Sequence, residues 1–235
     1  MKLIITLFLF FNSCMAVGQG FNYPVCQSTG NLLSDFVPQG WIISNSATGD
    51  LNNDHLDDYA IVLQHIDKVT IYTNEDGYPD SSITQPRILL LLFYNASTKQ
   101  YDLKQQSNTF ILMHNNAAMD DPFDDISVSN NVLQINFHVF YNMGSYYMSR
   151  NIYKFRYQHN EFELIGVDYN SANRASGDTE DCSYNFLTKK VKVSTGNFSQ
   201  DKKKVSWHTL SLPVLQNLKT FTQPFTWEVE PGIYL

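Results

Sequence analysis

The clearest pattern in the chain is alternation. Leu133, Ile135, Phe137, Val139 and Tyr141 stand at every second position, with Gln134, Asn136 and His138 between them. Period two puts one set of side chains on each face of a strand, so this run predicts half-buried β-structure. Asn142-Met143-Gly144-Ser145 then turns the chain. Tyr153, Phe155 and Tyr157 alternate with Lys154 and Arg156, which predicts a second strand with one basic face. A third follows over 162–167, after a turn at His159-Asn160. Consecutive antiparallel strands need only such short turns.

The first half carries the same plan. Trp41-Ile42-Ile43 opens an extended segment that runs to Asp50. Residues 59–64 (YAIVLQ) form a short apolar strand, 87–94 (RILLLLFY) a buried one, and 101–105 begin the next. Residues 74–86 are rich in Gly, Pro, Asp and Ser and predict a surface loop. Residues 168–181 are polar and predict another, before a strand over 184–193. One helical turn is expected over 31–36, stopped by Pro38 and Gly40. A second short helix is expected over 212–221, with Pro213 near its first turn. The predicted fold is all-β, with mostly antiparallel meander sheets over 41–105 and 126–167 and one or two short helices. Two such sheets can pack as a sandwich or stand side by side like blades of a partial propeller.

The N-terminus changes the cellular context. Lys2 is followed by a nine-residue, largely apolar run, 3–11, interrupted by Thr6, and then by Ala16-Val17-Gly18. Basic start, short apolar run and small residues predict a signal peptide over 1–18, cleaved before Gln19. A run of nine residues is too short for a bilayer core, which takes about 20. No later stretch is long enough, so no transmembrane span is expected. The protein is expected to be exported, to the periplasm or outside the cell. Ser13-Cys14 resembles a bacterial lipoprotein signal, and a lipidated Cys14 would anchor the protein instead. Residues 19–235 then form a single β-rich domain with 15 basic against 23 acidic residues, a formal charge of −8. That balance repels nucleic-acid phosphates and anionic membrane surfaces, and attracts cations. Cys26 and Cys182 survive cleavage. An oxidising compartment and an even count predict one disulfide, with two separate buried thiols as the alternative.

The most informative chemistry lies over 49–63 (GDLNNDHLDDYAIVL). Asp50, Asn52, Asp54 and Asp58 put oxygen donors at alternate positions, and Leu56 offers a backbone carbonyl between the last two. A hard cation such as Ca²⁺ takes six to eight oxygens at about 2.3–2.6 Å, which a tightly coiled loop can supply. Without a cation, carboxylates this close repel one another. An EF-hand is excluded, because its twelfth position needs a bidentate Glu and Ile61 stands there. The run resembles the calcium loop of the FG-GAP/VCBS family, the repeats of integrin-like β-propellers, whose pattern is G-D-x-N-x-D-G-x-x-D before an apolar strand. Gly49, Asp50, Asn52, Asp54, Asp58 and the strand over 59–63 match it. The resemblance implies a structural Ca²⁺ held by Asp50, Asn52, Asp54, Leu56 and Asp58. It covers about 25 residues, in one copy, so a full propeller is not implied. His55 stands where the family has Gly, a position that usually needs positive φ; the loop is expected to form there under some strain.

The remaining clusters carry less. Asp120-Asp121-Pro122-Phe123-Asp124-Asp125 predicts a solvated turn, able to lend a ligand to the first loop only if the fold brings the two together. The six histidines form neither H-x-x-x-H nor H-E-x-x-H, and there is no G-x-S-x-G, so the chain carries no hydrolase motif. A carboxylate pair of a hydrolase stays open, since spacing along the chain does not show which acids face each other. Phe137, Phe140, Tyr141, Tyr146, Tyr147 and Tyr153 crowd one hairpin. They predict core filling in the main, with exposed members able to dock a glycan or a protein. The reading that results is a non-catalytic exported module, stabilised by Ca²⁺, with a structural or binding role.

Overall fold

Residues 21–75, 78–212 and 214–235 are described by a computed structural model. The predicted signal segment 1–18, with Cys14, lies outside the described residues. A short first strand, β1 (Thr29–Gly30), precedes a 3-10 turn over Leu33–Phe36, where one helical turn is expected. Then come β2 (Trp41–Gly49), β3 (Asp58–His65), β4 (Val69–Glu75), β5 (Tyr78–Thr84), β6 (Arg87–Asn95) and β7 (Gln100–Ser107). The second half holds β8 (Phe123–Ser129), β9 (Val132–Phe140), β10 (Tyr147–Gln158), β11 (Glu161–Asn173) and β12 (Asp178–Asn185). It ends with β13 (Lys190–Asn197), β14 (Lys204–Thr209), β15 (Glu228–Glu230) and β16 (Ile233–Tyr234).

The protein is all-β, and its strands pair antiparallel. A five-stranded sheet runs β1-β7-β6-β3-β2 and a seven-stranded sheet runs β14-β13-β12-β11-β10-β9-β8; β4–β5 and β15–β16 are separate two-stranded ribbons. No described helix is long and apolar enough to cross a membrane.

Strand parity explains the packing. Ala60, Val62, Leu89 and Leu91 share one core cluster with Leu133, Ile135, Phe137, Tyr153 and Phe155 of the larger sheet. Phe93 of β6 meets Tyr157 and Phe162 of that sheet, at centroid distances of 4.8 and 5.8 Å. The alternate residues Ile61, Leu63, Ile88, Leu90 and Leu92 pack on the other face against Cys26, Phe36 and Trp41. Both faces of β3 and β6 are therefore covered, which is why 88–92 are apolar at every position. Burying each such side chain contributes about 1.5–3 kcal/mol.

Four expectations are corrected. Residues 74–86 hold the end of β4 and all of β5, which pair antiparallel, where a loop is expected. Most of 168–181 is strand: β11 runs to Asn173 and β12 begins at Asp178. The single strand expected over 184–193 is two, joined by a turn at Lys189 (φ 52°). The helix over 212–221 is absent from the described part of that segment. Asn217 Oδ1 takes the N–H groups of Lys219 and Thr220, and Asn217 bridges Glu163, so local side-chain bonds and sheet pairing replace a helical turn.

Candidate functional site

The aspartate loop joins β2 to β3 and is built from its own side chains. Asp50 Oδ1 accepts the N–H groups of Asn53 at 2.6 Å and Asp54 at 3.2 Å, and Oδ2 accepts that of His55 at 2.9 Å. Asn52 Oδ1 accepts the Asp54 N–H, and Asp54 Oδ1 accepts the Leu56 N–H, each at 2.9 Å. Asn52 Nδ2 donates to Asp54 Oδ2 at 3.0 Å. These two-residue side-chain-to-backbone bonds are what coil the segment. Asn53 (φ 66°) and His55 (φ 70°) both take the left-handed conformation, as the Gly-to-His departure at position 55 leads one to expect.

Asp58 closes the loop from below. It is fully buried, and its Oδ2 accepts the N–H groups of Leu51 at 2.9 Å and Asn52 at 3.3 Å. Its Oδ1 accepts the Tyr94 N–H of β6 at 3.0 Å. Burial pushes the Asp58 carboxyl up to about 6, against those three donors and with help from the Asp54 charge. Asp50 goes the other way. Burial raises it, but the backbone donors of His55, Asn53 and Asp54 and the His55 ring together outweigh that, so its pKa lies below the ordinary value.

The loop also docks on the larger sheet. Leu51, 1 % exposed, enters the shared core. Asn131 Nδ2 donates to the Asp50 carbonyl at 2.8 Å. Gly49 lies against β8, where an added Cβ would come within 2.8 Å of Val128 Cγ1. Of these contacts, the roles of Leu51, Val128 and Asn131 are not marked in the sequence. One signal was available: Asn130 and Asn131, both at positive φ, form the two-residue hairpin turn that Asn residues favour.

The loop thus brings Asp50, Asn52 and Asp54 into one hydrogen-bonded unit, with Asp58 beneath it and Leu56 tied to Asp54. Among the described residues, no group of three or more His, Cys, Asp or Glu side chains is arranged to hold a metal ion. In this conformation the carboxylates turn onto backbone N–H groups. The donor chemistry still fits a hard cation. The side chains that line the coil offer oxygens at alternate residues, and a carboxylate that accepts an N–H retains lone pairs for a second partner.

The other candidates separate. Cys26 and Cys182 form no disulfide. Cys26 belongs to the outer cluster and Cys182 to the shared core, so each is a thiol buried in its own apolar surroundings. Burial raises the Cys26 thiol, and burial with the Glu180 charge pushes Cys182 up to about 12. The 120–125 acids serve other partners. Asp121 pairs with Arg87, Asp124 with Arg150, Asp120 takes Asn142 Nδ2 and Asp125 takes Asn136 Nδ2. In the aromatic hairpin, Phe137 and Tyr153 are core, Arg174 covers Phe140 at 4.3 Å, and Tyr146 and Tyr147 are exposed.

Compared with known protein families, curated proteins and solved structures, the chain finds no match.

Proposed function

We propose that the chain is a non-catalytic, exported β-rich module whose 49–58 loop holds one structural Ca²⁺, in the manner of the FG-GAP/VCBS loops it resembles. The ligands are the side-chain oxygens of Asp50, Asn52, Asp54 and Asp58 and the Leu56 carbonyl. The observation that carries this reading is the loop itself: alternate oxygen donors coil it, and it seats Leu51 between two sheets while a buried carboxylate, Asp58, closes it. A bound cation would offset the repulsion among the three carboxylates and the cost of burying one of them. Its role is then architectural, fixing the turn between β2 and β3 and through it the docking on β8. A glycan- or protein-binding role is a second reading, favoured by Tyr146 and Tyr147, which are 67 % and 64 % exposed side by side where β10 begins.

The test is a thermal melt at neutral pH with Ca²⁺ and with chelator. Binding to the folded loop alone stabilises by about 2.7 kcal/mol at a hundredfold excess over Kd. Chelation is expected to lower Tm, and Asp54→Ala to remove most of the difference between the two buffers. Identical wild-type melts would reduce the loop to a self-bonded acidic turn.

A further inference from the structure

A cleft of about 540 Å³ opens between the inner face of the seven-stranded sheet and the C-terminal ribbon β15–β16. Its walls include Tyr169 of β11, Glu180 and Tyr184 of β12, His208 of β14, and Glu230 and Tyr234 of the ribbon. The alternation of β12 puts Glu180, Cys182 and Tyr184 on one face. Register sets Tyr169 and Val193 on either side of Cys182. The ribbon is a fixed roof. Trp227 and Leu235 exchange backbone bonds at 3.2 and 2.9 Å, and Val229 and Leu235 are buried in the core.

The charge in this cleft is one-sided. Two carboxylates line it, and no Lys or Arg does. His208 Nε2 lies 2.8 Å from Glu230 Oε1. Among the described residues, Glu180 takes the weak Cys182 thiol, at 3.8 Å, as its hydrogen-bond donor. Burial raises the Tyr184 phenol, and Cys182, Glu230 and Glu180 raise it further, so the cleft resists added negative charge. The rest of the lining is aromatic and aliphatic.

We propose that this cleft binds a small organic cation, a primary alkylammonium group, between Glu180 and Glu230 and against the rings of Tyr169, Tyr184 and Tyr234. An ammonium carries three donors for the two carboxylates, and ring faces attract it. Its alkyl part would lie on Val193, Ile233 and Leu235. A bare metal ion suits the cleft less well, because it needs several oxygens converging at short range, and among the described residues no group of three or more His, Cys, Asp or Glu side chains is arranged to hold one. The inference is independent of Ca²⁺ in the aspartate loop.

The experiment is calorimetric titration of the full chain with n-butylammonium, n-butanol and butyrate. Saturable binding is expected for the cation alone, with a Kd on the order of millimolar for so small a probe. Glu180→Gln and Glu230→Gln are each expected to weaken it about tenfold. Asp54→Ala is expected to leave it unchanged, which separates this site from the loop. Glu230→Gln also disturbs the His208 contact. Glu180→Gln, at a surface-exposed position where the melting curve is expected to stay unchanged, therefore carries the test if the other variant misfolds. Equal binding of cation and butanol, no binding of the cation, wild-type affinity in Glu180→Gln, or displacement of the amine by Ca²⁺ at stoichiometric levels would each overturn the proposal.

Discussion

His55 shows how much one residue can bear on the loop. It stands at φ 70°, where a side chain beyond Gly meets steric cost, and its ring is 90 % exposed, so packing returns little for that cost. His55→Gly removes the strain but loosens the unfolded chain. The expected net gain is about 0.5–1 kcal/mol, read as a higher urea midpoint in chelator. A lower midpoint would mean that the 3.8 Å approach of the ring to Asp50 outweighs the backbone strain. The coiled turn over 50–58 was legible because Asp and Asn side chains at alternate positions bond nearby backbone N–H groups. The residues that hold the loop down, Leu51, Val128 and Asn131, were not, since a one-dimensional pattern carries no record of what crosses between sheets. The cysteines fail for the same reason. An even count suggested a pair, and only the packing shows that Cys26 and Cys182 sit in different clusters.

At the scale of elements, strands were legible where one face met the core and the other met solvent. β9 and β10 alternate cleanly, and β6 betrays its burial on both faces by an unbroken apolar run. The far end of β11 and the start of β12 have polar residues facing both ways, so no periodicity marks them. Cross-strand pairs hold them instead: Lys154 with Asp168 at 2.5 Å, Ser183 with Asp168 at 2.8 Å, Asn170 with Asp181 at 2.9 Å. The loop's docking on β8 is testable at this scale. Gly49 takes φ 155°, and a methyl group there would collide with Val128. Gly49→Ala is expected to cost about 1–3 kcal/mol, and Val128→Ala in the same chain to recover part of it. Strict additivity of the two substitutions in chemical denaturation would show that the contact is not what restricts position 49.

Across the whole molecule, the Arg87–Asp121 ion pair helps tie the two halves together. Arg87 of β6 is 6 % exposed and bonds Gln64 of β3, the Leu112 carbonyl and Asp121, with its guanidinium 5.4 Å from the centroid of Phe123. Burial costs the Asp121 carboxyl something, but Arg87 bonds and charge hold its pKa below the ordinary value. A depressed folded pKa means stability that is present above the unfolded pKa of about 4 and is lost as pH falls through the folded one. Asp121→Asn is therefore expected to destabilise at neutral pH by about 1–2 kcal/mol, discounted because the carboxylate is 42 % exposed. Wild type and variant are expected to converge below about pH 3. A stability gap that stays constant with pH would remove the charge from the explanation. The open flank of the seven-stranded sheet has a consequence of its own. β14 is its last strand, all six of its residues are exposed, and its outward backbone groups form a template on which another chain could add. Val205 and Trp207 would make such stacking adhesive, whereas Lys202 and Lys204 set like charges where two flanks would meet. Lys202 and Lys204 would thereby act as gatekeepers against fibril growth. Replacing Lys202 and Lys204 with Thr is expected to leave the melt unchanged and to shorten the lag before thioflavin-positive aggregates form.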